Sequence, residues 1–169
     1  MNNTNPFIYS DDNKRYHTLN YYNKSSFNSK VFKAVIDAGF TCPNKDGTKG
    51  TGGCIYCMGG SGYFTEKSDG EIYDSVKRQL AAEKERIYKK HPDSLITAYF
   101  QANTNTYAPV ATLKEAYTAA LDFGVHGISI GTRADCLPDD VIALLCDINS
   151  KTHLTVELGL QTIRISKTI

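Results

Sequence analysis

Apolar positions along the chain alternate between two periods. Val31 to Ala38 (VFKAVIDA) is apolar and β-branched and predicts a strand that ends at Gly39. Glu71 to Lys90 sets Ile72, Val76, Leu80 and Ile87 roughly on one helical face, with charges elsewhere and Pro92 just beyond the end. Leu95 to Gln101 (LITAYFQ) predicts a second strand. Thr112 and Glu115 read as a T-x-x-E capping box opening a helix that runs to about Phe123 and stops at Gly124. Val125 to Gly131 (VHGISIG) predicts a third strand. Pro138 suits a first helical turn, and Val141, Leu144, Leu145 and Ile148 form the apolar stripe of a last helix. His153 to Leu160 (HLTVELGL) predicts a fourth strand.

Strands separated by helices imply right-handed crossovers and a parallel sheet, either doubly wound or part of a β/α barrel. Residues 1–30, rich in Asn, Ser, Tyr and Lys, keep neither period and read as an irregular leader. Only nine residues follow the fourth strand, which leaves no room for a covering helix, so the chain reads as incomplete at its C-terminus. Four parallel strands do not close a barrel, and an uncovered last strand exposes an edge.

Composition narrows the class. A length of 169 residues with 41% hydrophobic content gives one sizeable core. Nineteen basic residues against eighteen acidic ones give no global field for nucleic acid or an anionic membrane. The first residues lack a signal-peptide pattern, and no apolar run approaches the ~18 residues that span a bilayer. The expectation is a soluble cytoplasmic protein with no membrane partner.

Five cysteines, three of them within sixteen residues, make poor material for a disulfide framework and better material for a ligand set. The loop after the first strand reads FTCPNKDGTKGTGGCIYCMGGSG, so Cys42, Cys54 and Cys57 have the spacing C-x11-C-x2-C. In parallel α/β folds the loops at the C-terminal strand ends converge on one site. Three thiolates there can hold an iron-sulfur cluster, with one iron left open, or a zinc ion closed by a fourth ligand such as Cys136 or His17. Spacing alone leaves the two balanced. The glycine-rich run lacks G-x-x-x-x-G-K-[ST], which excludes a triphosphate loop. Cys146, on an apolar helical face, reads as a core residue, and Tyr56, Asp135 and Glu157 each have a purely structural reading as core aromatic, helix-start acid and sheet polar group.

The cysteine set, Tyr56 before its last member and the succession of βα units resemble radical S-adenosylmethionine (SAM) enzymes. The stretches VFKAVIDAGFTCPNKDGTKGTGGCIYC, FQANTNTYAP, ISIGTRADCLPDD and VELGLQT are similar to the YhcC-type bacterial family, a relative of the elongator-acetyltransferase-like radical SAM group. The likeness runs from about Val31 to Thr162. It implies a partial (β/α) barrel over residues 31–169 and a [4Fe-4S] cluster held by Cys42, Cys54 and Cys57, with SAM on the open iron. It implies SAM contacts from Phe100, Gln101, Ala102 and Asn103, through backbone carbonyls, and polar SAM or substrate contacts from Thr132, Arg133, Asp135 and Gln161, with the Arg133 guanidinium suited to pairing with a carboxylate. No side chain is assigned as a catalytic residue. An electron donor such as flavodoxin or ferredoxin is an implied partner, and tRNA modification is an extrapolation from the elongator-like relatives. The tail IRISKTI departs from the family pattern, as does Ala134 where a proline is usual.

Overall fold

A computed structural model describes residues 6, 7, 10, 14–57 and 68–160 of the protein. Their elements run α1 (Leu19–Phe27), β1 (Val31–Ile36), α2 (Ile72–Tyr88), β2 (Leu95–Phe100), α3 (Val110–Phe123), β3 (Gly127–Arg133), a short 3-10 turn (Ala134–Cys136), α4 (Asp139–Asn149) and β4 (His153–Gly159). The four strands form one sheet in the order β1-β2-β3-β4, every neighbouring pair parallel. Helical crossovers join successive strands. The order does not reverse among these strands, so the switch point of a doubly wound sheet is not present among them.

The strands bury alternate positions. Ala34, Ile36, Ile96, Ala98, Phe100, Ile128 and Ile130 join one core with Val76, Leu80 and Ile87 of α2, with Leu113, Ala116, Tyr117 and Ala120 of α3, and with Val141, Leu144, Leu145 and Ile148 of α4. All three crossover helices therefore cover the same face. Gly127 opens β3 where a Cβ would stand 2.7 Å from the His153 carbonyl oxygen, so β3 and β4 approach more closely than any side chain permits.

The other face is polar. Lys33, Tyr99, Ser129 and Glu157, one from each strand, project from it, and Lys33 Nζ pairs with Glu157 across the intervening strands. Register aligns Lys33 with Thr97, Thr97 with Gly127 and Gly127 with His153, which puts Glu157 four residues farther along β4. In a flat sheet those two Cα atoms would lie roughly 19 Å apart, from ordinary strand spacing and rise. Two side chains cannot bridge that span, so the sheet curls toward its polar face.

Residues 1–30 are not irregular throughout, because nine of them form α1. Thr18 Oγ1 accepts the Tyr21 N–H at the N-terminus, and Asn28 closes the other end at φ 51°. The helix buries Asn23 rather than an apolar stripe, and Phe27 at its end sets its ring against His126 and His153, 4.4 and 5.1 Å away. That tertiary anchorage leaves no 3.6-residue signature. The capping box is also corrected: α3 begins at Val110 behind Pro109, with no side-chain cap, and Thr112 lies inside the helix. Proline's fixed φ starts this helix instead. Cys146 is exposed rather than core, because α4 turns Val141, Leu144, Leu145 and Ile148 inward. Among the described residues no helix is long and apolar enough to cross a membrane.

Candidate functional site

The segment after β1 is steered by Gln79 of α2. Its amide donates to the Asp37 carbonyl at 2.8 Å and accepts the Asp37 N–H at 2.9 Å, so a side chain with 1% exposure holds both sides of one residue. Asp37 then accepts the Gly39 N–H through Oδ1, and Gly39 takes φ 76°, which turns the chain over the C-terminal edge of the sheet. Two tight turns follow around the cysteines. The Cys42 carbonyl accepts from Lys45 and Asp46, and the Cys54 carbonyl accepts from Cys57.

Three side chains pin this loop to its neighbours. Lys45 Nζ donates to Asn103 Oδ1 at 2.6 Å, and Asn103 in turn donates to the Phe40 carbonyl at 2.7 Å. Asn103 reaches back in this way because it leaves β2 at φ 61°, which asparagine tolerates better than most residues. Thr48 and the Tyr107 hydroxyl share a hydrogen bond at 2.9 Å. Lys49 pairs with Asp135 beyond β3.

The result is a cleft of about 410 Å³ over the strand ends. Cys42, Cys54 and Cys57 all line it, together with Lys45, Tyr56, Tyr99, Gln101, Asn103, Thr132, Arg133 and Glu157. Among the described residues no group of three or more His, Cys, Asp and Glu side chains stands ready to hold a single metal ion. Asn44 Nδ2 donates to Cys54 Sγ at 3.1 Å. Tyr56 is 63% exposed at the mouth and so is no core aromatic. Its phenol is pushed above its ordinary pKa chiefly by its hydrogen bond to Cys54.

The residues expected to contact a cofactor divide. Gln101, Asn103, Thr132 and Arg133 line the cleft. Phe100 turns its ring into the core against Tyr117 and Ala102 is 1% exposed, so from these two only the backbone is free to face a ligand. Thr132 is tied to Thr106 by its hydroxyl. Gln161 lies outside the described residues. Arg133 does pair with a carboxylate, but it is the protein's own: Nε and Nη2 donate to Asp135 at 2.8 Å each, which raises the guanidinium pKa and holds the Asp135 carboxyl well below its ordinary range, with Lys49 adding to the latter. Arg133 Nη1 is buried without a hydrogen-bond partner. Asp135 therefore anchors the loop rather than starting α4.

Neither proposed fourth ligand reaches the cysteines' cleft. Cys136 is buried in the wall of a separate cavity of about 780 Å³ beside it, and its thiol is pushed up to about 11 mainly by burial. His17 contacts the rings of Tyr21 and Tyr22 near α1. Conversely, Lys45, Tyr99 and Glu157 line the cleft, and Asn44 and Lys49 tie its loop to Cys54 and Asp135, without having been expected there. Glu157 accepts from Lys33, from the Tyr99 hydroxyl at 2.9 Å and from Ser129 at 3.0 Å. The signal for Tyr99 and Glu157 was a polar residue at every second position of otherwise apolar strands.

The chain is 50% identical over 165 residues to the uncharacterized protein YtqA of Bacillus subtilis, an alignment covering 96% of this chain and 50% of that protein. It is 38% identical over 138 residues to protein YhcC of Escherichia coli, covering 80% and 42% respectively. It is 34% identical over 148 residues to the uncharacterized protein MJ0486 of Methanocaldococcus jannaschii, covering 83% and 42%. No family model matches the chain, and no solved structure does. The chain thus spans about half the length of the curated relatives it matches.

Proposed function

We propose that this chain carries the cluster-binding part of a radical SAM enzyme, built on a partial (β/α) barrel. The observation that carries the reading is the meeting of Cys42, Cys54 and Cys57 in one cleft over the C-terminal ends of four parallel strands. The curl of the sheet toward its polar face and the single layer of helices outside it support the barrel.

The donor set fits a polynuclear group. A zinc ion draws its ligands to within ~2.0–2.3 Å of one point, whereas three thiolates on three different irons stand apart around a larger body. Cys42, Cys54 and Cys57 would each hold one iron, leaving the fourth for the amine and carboxylate of SAM. A bound, reduced cluster would supply the single electron for reductive cleavage of SAM, the chemistry that would start a radical reaction on a substrate. The chain's own part is positioning. The backbone from Phe100 to Asn103 offers carbonyls at the end of β2. Arg133 offers Nη1 to an anionic group, and Lys45, fixed by Asn103, keeps a cation on the cleft wall. Flavodoxin or ferredoxin is the class of electron donor such chemistry uses. tRNA as substrate rests only on the elongator-like relatives.

Anaerobic reconstitution tests the reading. The expected result is about four irons and four sulfides per chain, lost when Cys42, Cys54 or Cys57 is replaced by alanine and retained in Cys146→Ala. Dithionite and SAM should then yield 5'-deoxyadenosine. A chain that takes up one zinc tightly and no iron would overturn it.

A further inference from the structure

We infer that Asn44 is a positioning residue that tunes the thiolate of Cys54, an inference that rests on the cluster reading above. The residue grips its neighbour at two points. Its carbonyl accepts the Gly53 N–H at 2.8 Å, and its side-chain amide donates to Cys54 Sγ at 3.1 Å. Gly53 makes the turn between these contacts at φ 81°, where a side chain would be strained and where a Cβ would meet the Lys45 stem at 3.1 Å. The chain between Asn44 and Cys54 is therefore shaped to bring this amide to this sulfur.

The other half of the amide sharpens the point. Asn44 Oδ1 is buried without a hydrogen-bond partner. An unmade acceptor costs stability, and turning the amide over would aim that oxygen at the sulfur. A sulfur bound to iron only accepts, so the N–H side is the half that a ligated Cys54 requires. Asn44 thus holds its amide in the orientation that serves the thiolate at the expense of its own carbonyl.

A hydrogen bond to a ligating sulfur draws charge from it and stabilises the reduced cluster, which carries the extra negative charge, more than the oxidised one. The potential rises accordingly. Asn44 is uncharged at every ordinary pH, so it does this without adding a titrating group beside the ligands.

The test compares the reduction midpoint of reconstituted wild-type protein with Asn44→Ala, Asn44→Leu and Asn44→Ser, by dye-mediated titration followed by electron paramagnetic resonance. Asn44→Ala and Asn44→Leu should load iron as the wild type does, yet shift to a more negative midpoint by roughly a tenfold change in the one-electron equilibrium, about 59 mV. Asn44→Ser, whose hydroxyl still donates, should fall between. Asn44→Leu keeps the branched shape, so a folding failure of Asn44→Ala leaves the test standing. Loaded variants with the wild-type midpoint overturn the inference alone. A wild-type chain that takes up no iron overturns the cluster reading, and the inference with it.

Discussion

Replacing Glu157 by glutamine removes one negative charge from the polar face of the sheet and keeps the side chain's shape. The carboxylate accepts from Lys33, from Tyr99 at 2.9 Å and from Ser129 at 3.0 Å. A buried hydrogen bond to a charged group is worth ~1.5–3 kcal/mol and an exposed ion pair ~0.2–1 kcal/mol. The Glu157 and Lys33 side chains are 38% and 37% exposed, so screening holds their pair to about 1 kcal/mol. The two hydroxyl contacts lose their charge assistance, which adds about 1 kcal/mol. Urea unfolding of Glu157→Gln at neutral pH should therefore show a loss of about 2 kcal/mol with an unchanged m-value. A loss under ~0.5 kcal/mol refutes the network as a stabilising element. The dependence on pH gives a second check. Burial pulls the Glu157 carboxyl up, but the hydrogen bonds from Lys33, Tyr99 and Ser129 outweigh it and leave the pKa below its ordinary value. A depressed carboxyl contributes stability above its unfolded pKa of about 4.3, and that stability is lost as pH falls through the lower folded value. The gap between wild type and Glu157→Gln should close over that acid window, and a gap unchanged there would contradict the assignment. Tyr99 reports from the other side. Burial first, and then Glu157, push its phenol up to about 12, so phenolate absorbance in Glu157→Gln should appear at lower pH than in the wild type.

Gly127→Ala should cost ~1–3 kcal/mol in thermal or urea unfolding, because a Cβ 2.7 Å from the His153 carbonyl oxygen forces β3 and β4 apart. Tyr117→Phe, which removes the hydroxyl that the fully buried Tyr117 donates to the Asn105 carbonyl, should cost about 1–2 kcal/mol by the same measurement. Asp135→Asn breaks the ion pairs to Lys49 and Arg133, and trypsin should then cut faster after Lys45 and Lys49 while cleavage in α2 is unchanged.

Strand and helix positions were legible because the sheet is covered on one face. Ala34, Ile36, Ile96, Ala98, Phe100, Ile128 and Ile130 are buried at every second residue, and the helices between them carry one apolar stripe each, so local periodicity suffices. That the three cysteines share one cleft was legible because they follow the first strand, and loops at the C-terminal ends of parallel strands converge. Helix α1 was not, since its capping threonine and the contacts of Phe27 with His126 and His153 leave no 3.6-residue apolar pattern in the sequence. The site's fixings were hidden for the same reason. Asn44, Lys45 and Lys49 look like ordinary loop residues until Cys54, Asn103 and Asp135 are brought to them. Glu157 is the sharpest case. Its alternation marks it as facing away from the helices, but only parallel pairing of four strands, and curling of the sheet, delivers it to Lys33 across 124 residues of sequence. The curl also bears on the cysteine loop, because the strand ends that bring Glu157 and Tyr99 to the cleft bring Arg133 and Asn103 to the same cleft as the thiols. A change that flattens the sheet should therefore disturb the cleft even when it touches none of the cysteines.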